Sequence, residues 1–254
     1  MQARPIALPG RAPRFPVVCA PLVARSTTQL AAEAAAVAAK GPDLLEWRVD
    51  FFEHIGDAAR VLEAAEQLRR AAAGIPLLFT RRSSREGGQP ITIGEEQVVD
   101  LYRAVCASGQ VDLVDFEMGN APAHVAAVRE ASKAAGLPLV LSFHDFQATP
   151  PADALVARFA QAQALGADVA KVAVMPKSME DVLALLAATT QASRSLSIPV
   201  VSMSMGPLGA VTRMCGWTFG SAMTFAVGEA SSAPGQMPIK DIRQAIAMLQ
   251  GSQA

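Results

Sequence analysis

The sequence predicts an α/β chain folded as a (β/α)8 TIM barrel, a single domain over residues 1–254, and three observations carry that prediction. Short apolar runs alternate with Ala- and Leu-rich helical patterns along the chain, giving eight units of roughly 30 residues each, the usual size of this fold. The runs are nearly continuous rather than alternating, as parallel strands covered on both faces should be. Charged residues fall at the C-terminal ends of several runs, where this fold gathers its active site. A doubly wound open sheet is the alternative, but no G-x-G-x-x-G turn follows the first run.

The expected strands are 16–24, 44–50, 76–82, 111–118, 138–145, 169–175, 199–205 and 221–227, with helices near 27–40, 57–73, 95–108, 121–135, 153–166, 178–193, 207–214 and 239–250. Several helices end at Gly followed by Pro, as at Gly41-Pro42 and Gly136-Leu137-Pro138, because Gly supplies a left-handed cap and Pro cannot continue a helix. The start of the chain, MQARPIALPGRAPRFP, lacks the apolar segment of a secretory signal. Its Pro/Arg-rich residues 1–15 read as a frayed arm leading into the first strand.

A hydrophobic share of 51% supports a sizeable core and excludes a disordered tail protein. Lys plus Arg total 22 and Asp plus Glu 23, so the net charge is −1; with aromatics at 5%, a nucleic-acid binder is not expected. No apolar run approaches the roughly 20 residues of a membrane span. Cys19, Cys106 and Cys215 are scattered and odd in number, so they read as free thiols in a reducing cytosol. Without an H-x-x-H or similar ligand pair, no metal site is expected. The expected partner is a small molecule, met in the cytoplasm.

Alternation along the second strand puts Glu46, Arg48 and Asp50 on one face and Trp47 and Val49 on the other. Three charges on one face need partners or a polar ligand, and an internal ion-pair network satisfies that as well as a binding site does. The third strand runs into Thr80-Arg81-Arg82-Ser83-Ser84-Arg85-Glu86-Gly87-Gly88. Guanidiniums at a barrel mouth suit an anionic or polyhydroxylated ligand. For Arg81 and Arg85 a solvated loop is expected instead, and for Asp115 and Glu117 structural pairing with the arginines.

His144 is the one histidine at the C-terminal end of a strand, and it titrates in the right range for acid/base work. His54 and His124 read as surface residues. Lys171 lies within Val169-Ala170-Lys171-Val172-Ala173. Burial disfavours a charged ammonium, and a neutral amine is what a Schiff-base nucleophile requires. Pairing with Glu46 or Glu117 is the structural alternative. After the seventh strand come Gly206 to Gly209 and then Arg213; after the eighth, Ser231 to Gln236 form a short polar loop. An arginine facing a Ser/Gln loop can hold a carboxylate from several sides.

Taken together, EWRVD at 46–50, T-x-R-x-x-x-E-G-G at 80–88, SFHDF at 142–146, AKVAVMP at 170–176, SMGPLGAVTR at 204–213, FGSAMTF at 219–225 and SAPGQ at 232–236 resemble the type I 3-dehydroquinate dehydratases of the shikimate pathway. The resemblance runs in order over almost the whole chain. It implies a homodimer that needs no metal or organic cofactor. It implies dehydration of 3-dehydroquinate to 3-dehydroshikimate, the third step of that pathway, by syn elimination through a covalent imine. By motif position, Lys171 is then the Schiff-base lysine and His144 the general acid/base. Glu46, Arg48 and Arg82 contact the ring hydroxyls, with Glu86 close by, while Arg213, Ser232 and Gln236 hold the carboxylate. Arg81 and Phe143 depart mildly from the family pattern, and CAPLVARS at 19–26 is the least typical stretch. Two other readings stand beside this one. A Schiff-base aldolase would use Gly206 to Gly209 as part of a phosphate cradle, and a non-catalytic barrel would bind a small acid.

Overall fold

The computed structural model describes residues 3–251, and in it strands and helices alternate in the predicted order. They run β1 (Val17–Leu22), α1 (Thr27–Ala38), β2 (Leu44–Arg48), α2 (Ala58–Ala71), β3 (Leu77–Thr80), α3 (Glu95–Ala107), β4 (Leu113–Glu117) and α4 (Pro122–Ala134). The second half follows as β5 (Leu139–Asp145), α5 (Ala152–Ala164), β6 (Val169–Val174), α6 (Met179–Ser195), β7 (Val200–Ser204), α7 (Gly206–Cys215), β8 (Met223–Phe225) and α8 (Ile239–Gly251). The strands pair in parallel in the order β8-β1-β2-β3-β4-β5-β6-β7. The seam between β7 and β8 is closed by a bridge from Val200 to Ser221 and by the Ala222 N–H donating to Val200 O at 2.8 Å. The fold is the predicted barrel.

Local sequence explains the elements. Asp57 caps α2 by accepting from the N–H of Ala59 and Arg60, and at the start of α6 Asp181 Oδ2 reaches back to accept from the N–H of Lys177 and Ser178. Gly136, at φ +68°, turns the chain from α4 toward β5. At the N-terminal end of the barrel, an aspartate just before each of β2, β4 and β6 ties down the odd strand beside it. Asp43 accepts from Val18 N at 2.8 Å, Asp112 from Leu77 N at 2.7 Å and Asp168 from Leu139 N at 2.8 Å.

The outward strand residues, with Trp47, Phe79 and Phe116 among them, pack under the helices as one apolar layer. Inside the barrel a second apolar cluster forms a floor from Val17, Leu44, Leu78, Leu113, Val140, Val169 and Val201. Burying each such side chain contributes roughly 1.5–3 kcal/mol. One pleat above this floor stand the charged Glu46, Asp115 and Lys171 and the hydroxyls of Thr80 and Ser142, beside Cys19 and Met203. The floor therefore anchors the strands while their C-terminal halves point functional groups inward.

Three expectations need correction. The arm is not frayed over residues 3–15, residues 1 and 2 lying outside the described residues: Ile6 is 2% exposed within the floor cluster, and Arg14 pairs with Asp43. The apolar N-terminal mouth of the barrel needs cover, and an extended arm supplies it. Several strands are shorter than predicted, with β2 stopping at Arg48, β3 at Thr80 and β8 reduced to Met223–Phe225. Beyond Thr80 the backbone turns to side-chain partners instead of the neighbouring strand: Arg82 N donates to Asp50 Oδ1 and Ser83 N to Glu117 Oε1. Arg81 is not solvated: it points outward from the barrel, 4% exposed, and pairs with Glu95 in the first turn of α3 at 2.5 Å. Arg85 is exposed, as expected.

Candidate active site

The C-terminal mouth of the barrel holds one cavity into which all nine sequence-predicted site residues project: Glu46, Arg48, Arg82, Glu86, His144, Lys171, Arg213, Ser232 and Gln236. Its free volume is about 40 Å³, well under the roughly 300 Å³ at which ligand pockets usually begin. The loop after β8 causes this. Pro234 O accepts from Arg213 Nη2 at 2.9 Å and from Gly206 N at 3.2 Å, and Ser232 O accepts from Arg48 Nη1 at 3.5 Å. The loop is braced internally, because the Gln236 amide donates to Ser232 Oγ and accepts from Ser232 N. A wider groove of about 480 Å³ runs between the N-terminal arm and residues 190–194 and 217–220, but Arg14 and Arg194 are its charged groups and it offers no carboxylate, histidine or lysine.

Lys171 projects from β6 with its side chain 5% exposed. Its Nζ donates to Asp115 Oδ2 at 2.9 Å, stands 3.8 Å from Glu46 Oε1, and sits 4.5 Å above the centre of the Phe225 ring. Lys171, expected among apolar neighbours from the strand around it, thus has an apolar ring on one side and carboxylates on the other. The partner within hydrogen-bond distance is Asp115 rather than Glu46 or Glu117, and Glu46 is held by the Thr80 hydroxyl at 3.0 Å. Asp115, fully buried on β4, shares its oxygens out: Oδ1 accepts from Arg82 Nη2 at 2.8 Å and Ser142 Oγ at 2.6 Å, leaving Oδ2 to the lysine. Burial pushes the Asp115 carboxyl up, but the adjacent Arg82 and Lys171 charges outweigh burial and hold it well below the usual carboxylate range.

Arg82 reaches the same network from the loop after β3, donating to Ser142 Oγ at 2.8 Å and approaching Glu117 at 3.4 Å. The second glycine of the Glu-Gly-Gly run fixes this loop: a Cβ at Gly88 would lie 2.0 Å from Arg82 O. Arg48 and Asp50 form a two-bonded pair at 2.8 Å each, so these two act on each other and only Arg48 faces the cavity. The ion-pair network that the sequence left open is therefore present, and Glu46 and Arg48 line the cavity at the same time.

His144 accepts or donates through Nδ1 to Glu86 Oε2 at 2.8 Å, and its own backbone N–H donates to that oxygen at 3.0 Å. The Nδ1 side of the ring is thereby fixed, and Nε2 is left for the cavity. Burial, with Arg82 and Lys171 nearby, pushes the imidazole well below its usual value. Burial also raises the Glu86 carboxyl, to about 8, against the pull of Arg82. The unfolded chain releases the Glu86 proton near 4.5 while the folded chain holds it toward 8, so this group's contribution to stability falls as pH rises through that window. Glu86→Gln is therefore expected to raise the unfolding midpoint, relative to the unsubstituted chain, more at about pH 9 than at about pH 5. Thermal melts at both values check it, and an equal difference would contradict it.

Arg213, from α7, is 1% exposed and meets no carboxylate within salt-bridge distance among the described residues. Its contacts are the carbonyls of Phe225 and Pro234 and the sulfur of Met203, and its Nε has no hydrogen-bond partner. Burial lowers this guanidinium to about 10, the cost of a cation with no counter-charge. Apolar surroundings for Lys171 were expected, but the side chains that supply them, Phe146, Met203, Met205 and Phe225, were not named from the sequence. Alternation on β7 and its continuation places Met203 and Met205 on the Lys171 face, a signal that could have found them. Among the described residues no His, Cys, Asp or Glu group is arranged to hold a metal ion. No helix of the described residues is long and apolar enough to cross a membrane.

Fold and site together have the form of a barrel enzyme, with a buried lysine and histidine at the C-terminal mouth and, facing the same cavity, a guanidinium bonded to carbonyls but without a counter-charge. The family model for type I 3-dehydroquinase matches residues 18–253, and the chain belongs to that family. It is 56% identical over 236 residues to the 3-dehydroquinate dehydratase of Albidiferax ferrireducens, covering 93% of this chain and 89% of that protein. Among solved structures it is similar to the 3-dehydroquinate dehydratase of Geobacillus kaustophilus, with 50% identity, a TM-score of 0.91 and coverage of 99% and 96% of the two chains. It is also similar to the type I enzyme of Clostridium difficile, described with covalently modified comenic acid, at 35% identity, a TM-score of 0.90 and coverage of 99% and 98%.

Proposed function

We propose that this chain, acting as one catalytic domain, dehydrates 3-dehydroquinate to 3-dehydroshikimate by syn elimination through a Schiff base on Lys171, the third step of the shikimate pathway. The observation that carries the reading is the shared cavity of Lys171, the Glu86-bound His144 and Arg213, which lacks a counter-charge. The substrate is a carboxylate, and Arg213 is the cation in the cavity with no acid of its own. Its carboxylate replaces Pro234 O on the guanidinium, joined by Ser232 and Gln236, while Glu46, Arg48 and Arg82 face the ring hydroxyls.

Lys171 first gives its ammonium proton to His144 Nε2; the freed Nζ lone pair attacks the ketone carbon, a C–N bond forms, the C=O π pair moves to oxygen, and that oxygen takes a proton that nitrogen gives up. The carbinolamine hydroxyl then leaves as water with the proton held on His144, the nitrogen lone pair forms the C=N bond of the iminium, and the imidazole is again a base. The iminium draws electrons from the adjacent C–H bond. His144 Nε2 takes that proton, the C–H pair becomes the enamine double bond, and the C=N π pair returns to nitrogen. The enamine expels the β-hydroxyl, which leaves as water with the same proton from His144. Delivery by one imidazole on one ring face accounts for the syn course. Added water hydrolyses the conjugated iminium and frees Lys171. The protein works, in this reading, as a homodimer in the cytoplasm, a setting that free Cys19, Cys106 and Cys215 suit.

Mixing the protein with 3-dehydroquinate is expected to produce the ultraviolet absorbance of the conjugated enone, and no rise would contradict the reading. Replacing Ser232 and Gln236 together with alanine is expected to raise KM by roughly 10- to 100-fold and lower kcat less, because these side chains hold the carboxylate rather than the reacting carbons. Steady-state kinetics by the same absorbance check it.

A further inference from the structure

We propose that Asp115 is a catalytic residue of this site, the counter-ion that orients the Lys171 amine for attack and then carries the charge of the iminium formed on it. The inference rests on the Schiff-base reading above and deepens it. Three observations support it. Asp115 Oδ2 is the carboxylate oxygen bonded to the reacting nitrogen, at 2.9 Å, whereas Glu46 stands at 3.8 Å and is engaged by Thr80. The other oxygen, Oδ1, is pinned by Arg82 and Ser142 at 2.8 and 2.6 Å, so the carboxylate plane is fixed before any ligand arrives. The backbone is fixed as well, because the Tyr102 hydroxyl donates to Asp115 O at 2.5 Å and accepts from Arg81 N at 2.9 Å.

These contacts match what the chemistry needs. When the carbinolamine loses water, a positive charge appears on Nζ in a cavity that already holds Arg48, Arg82 and Arg213. A pre-oriented anion at that atom stabilises the charge without reorganising as it develops. The bond survives the conversion: the ammonium, the carbinolamine N–H and the iminium N–H each donate to Oδ2, and no atom of Asp115 is consumed. The Phe225 ring face, 4.5 Å from Nζ on another side, adds a weaker attraction for the same cation.

The test uses borohydride trapping of the full chain with 3-dehydroquinate, followed by intact mass, for the wild type, Asp115→Asn and Glu46→Gln. Asp115→Asn keeps the shape and removes the charge. It is expected to slow adduct formation and lower kcat by about 100-fold with KM within about fivefold, while Glu46→Gln slows trapping by less than about tenfold. If Asp115 only braces Arg82, the loss appears in KM and trapping runs at the wild-type rate, which would overturn the proposal. No adduct in the wild type would overturn the Schiff-base reading itself; an adduct in the wild type that forms equally fast in Asp115→Asn overturns this inference alone. Should Asp115→Asn not fold, a crystal structure of the borohydride-reduced wild type decides. Nζ within hydrogen-bond distance of Asp115 is expected, and Nζ turned away to another partner contradicts it.

Discussion

Lys171→Ala is expected to abolish turnover, lowering kcat by at least roughly 10⁴-fold, while 3-dehydroquinate still binds measurably. Loss of the amine removes the covalent route, and no other lysine lines the cavity. Binding is expected to persist because, in the proposed reading, the carboxylate is held by Arg213 and the loop after β8, which Lys171 does not touch. The fold also persists. Asp115 keeps Arg82 and Ser142 when the ammonium is gone, so the buried carboxylate is not left bare, and the loss of stability stays within roughly 3–5 kcal/mol. Turnover by enone absorbance and binding by calorimetry check both halves. Turnover near the wild-type rate would remove the nucleophile role.

His144→Ala is expected to lower kcat by about 10³-fold and to slow both imine formation and imine hydrolysis. The same ring serves every proton transfer in the sequence, since Nδ1 is tied to Glu86 and only Nε2 faces the cavity. With Nδ1–H donated to an ionised Glu86, Nε2 is a base; with the pair's proton shifted toward Glu86, the raised carboxyl accommodates it and Nε2–H becomes the acid. Rapid-quench measurements of adduct build-up and decay separate the two phases. A change confined to substrate affinity would refute the acid/base assignment.

Particular residues show how far the sequence speaks for this molecule. The place of Lys171, His144 and Arg82 in the cavity was legible because charge inside an apolar strand, or at its C-terminal end, is costly unless it faces partners or a polar space. The barrel was legible because its period is written into alternating apolar runs and glycine-ended helices. Asp115 as the lysine's partner was not legible. Alternation puts it on the inner face, but its meeting with Lys171 depends on the register of β4, β5 and β6, where Asp115 pairs with Val140 and Ser142 with Lys171. That stagger belongs to the closed barrel and not to any one strand. The arm was misread for a related reason: Pro- and Arg-rich composition resembles a loose tail, and only the uncovered barrel floor gives Ile6 a place to bury. Arg81 went astray because one residue of alternation separates it from Arg82, and its outward partner, Glu95, is supplied by a helix that starts well along the chain.

The central claim is a covalent bond between Lys171 and the substrate's carbonyl carbon, and peptide mapping by mass spectrometry after borohydride reduction during turnover tests it most directly. The account predicts a stable substrate-derived adduct on the peptide carrying Lys171 and on no other lysine. Full enone production with that peptide left unmodified would contradict it.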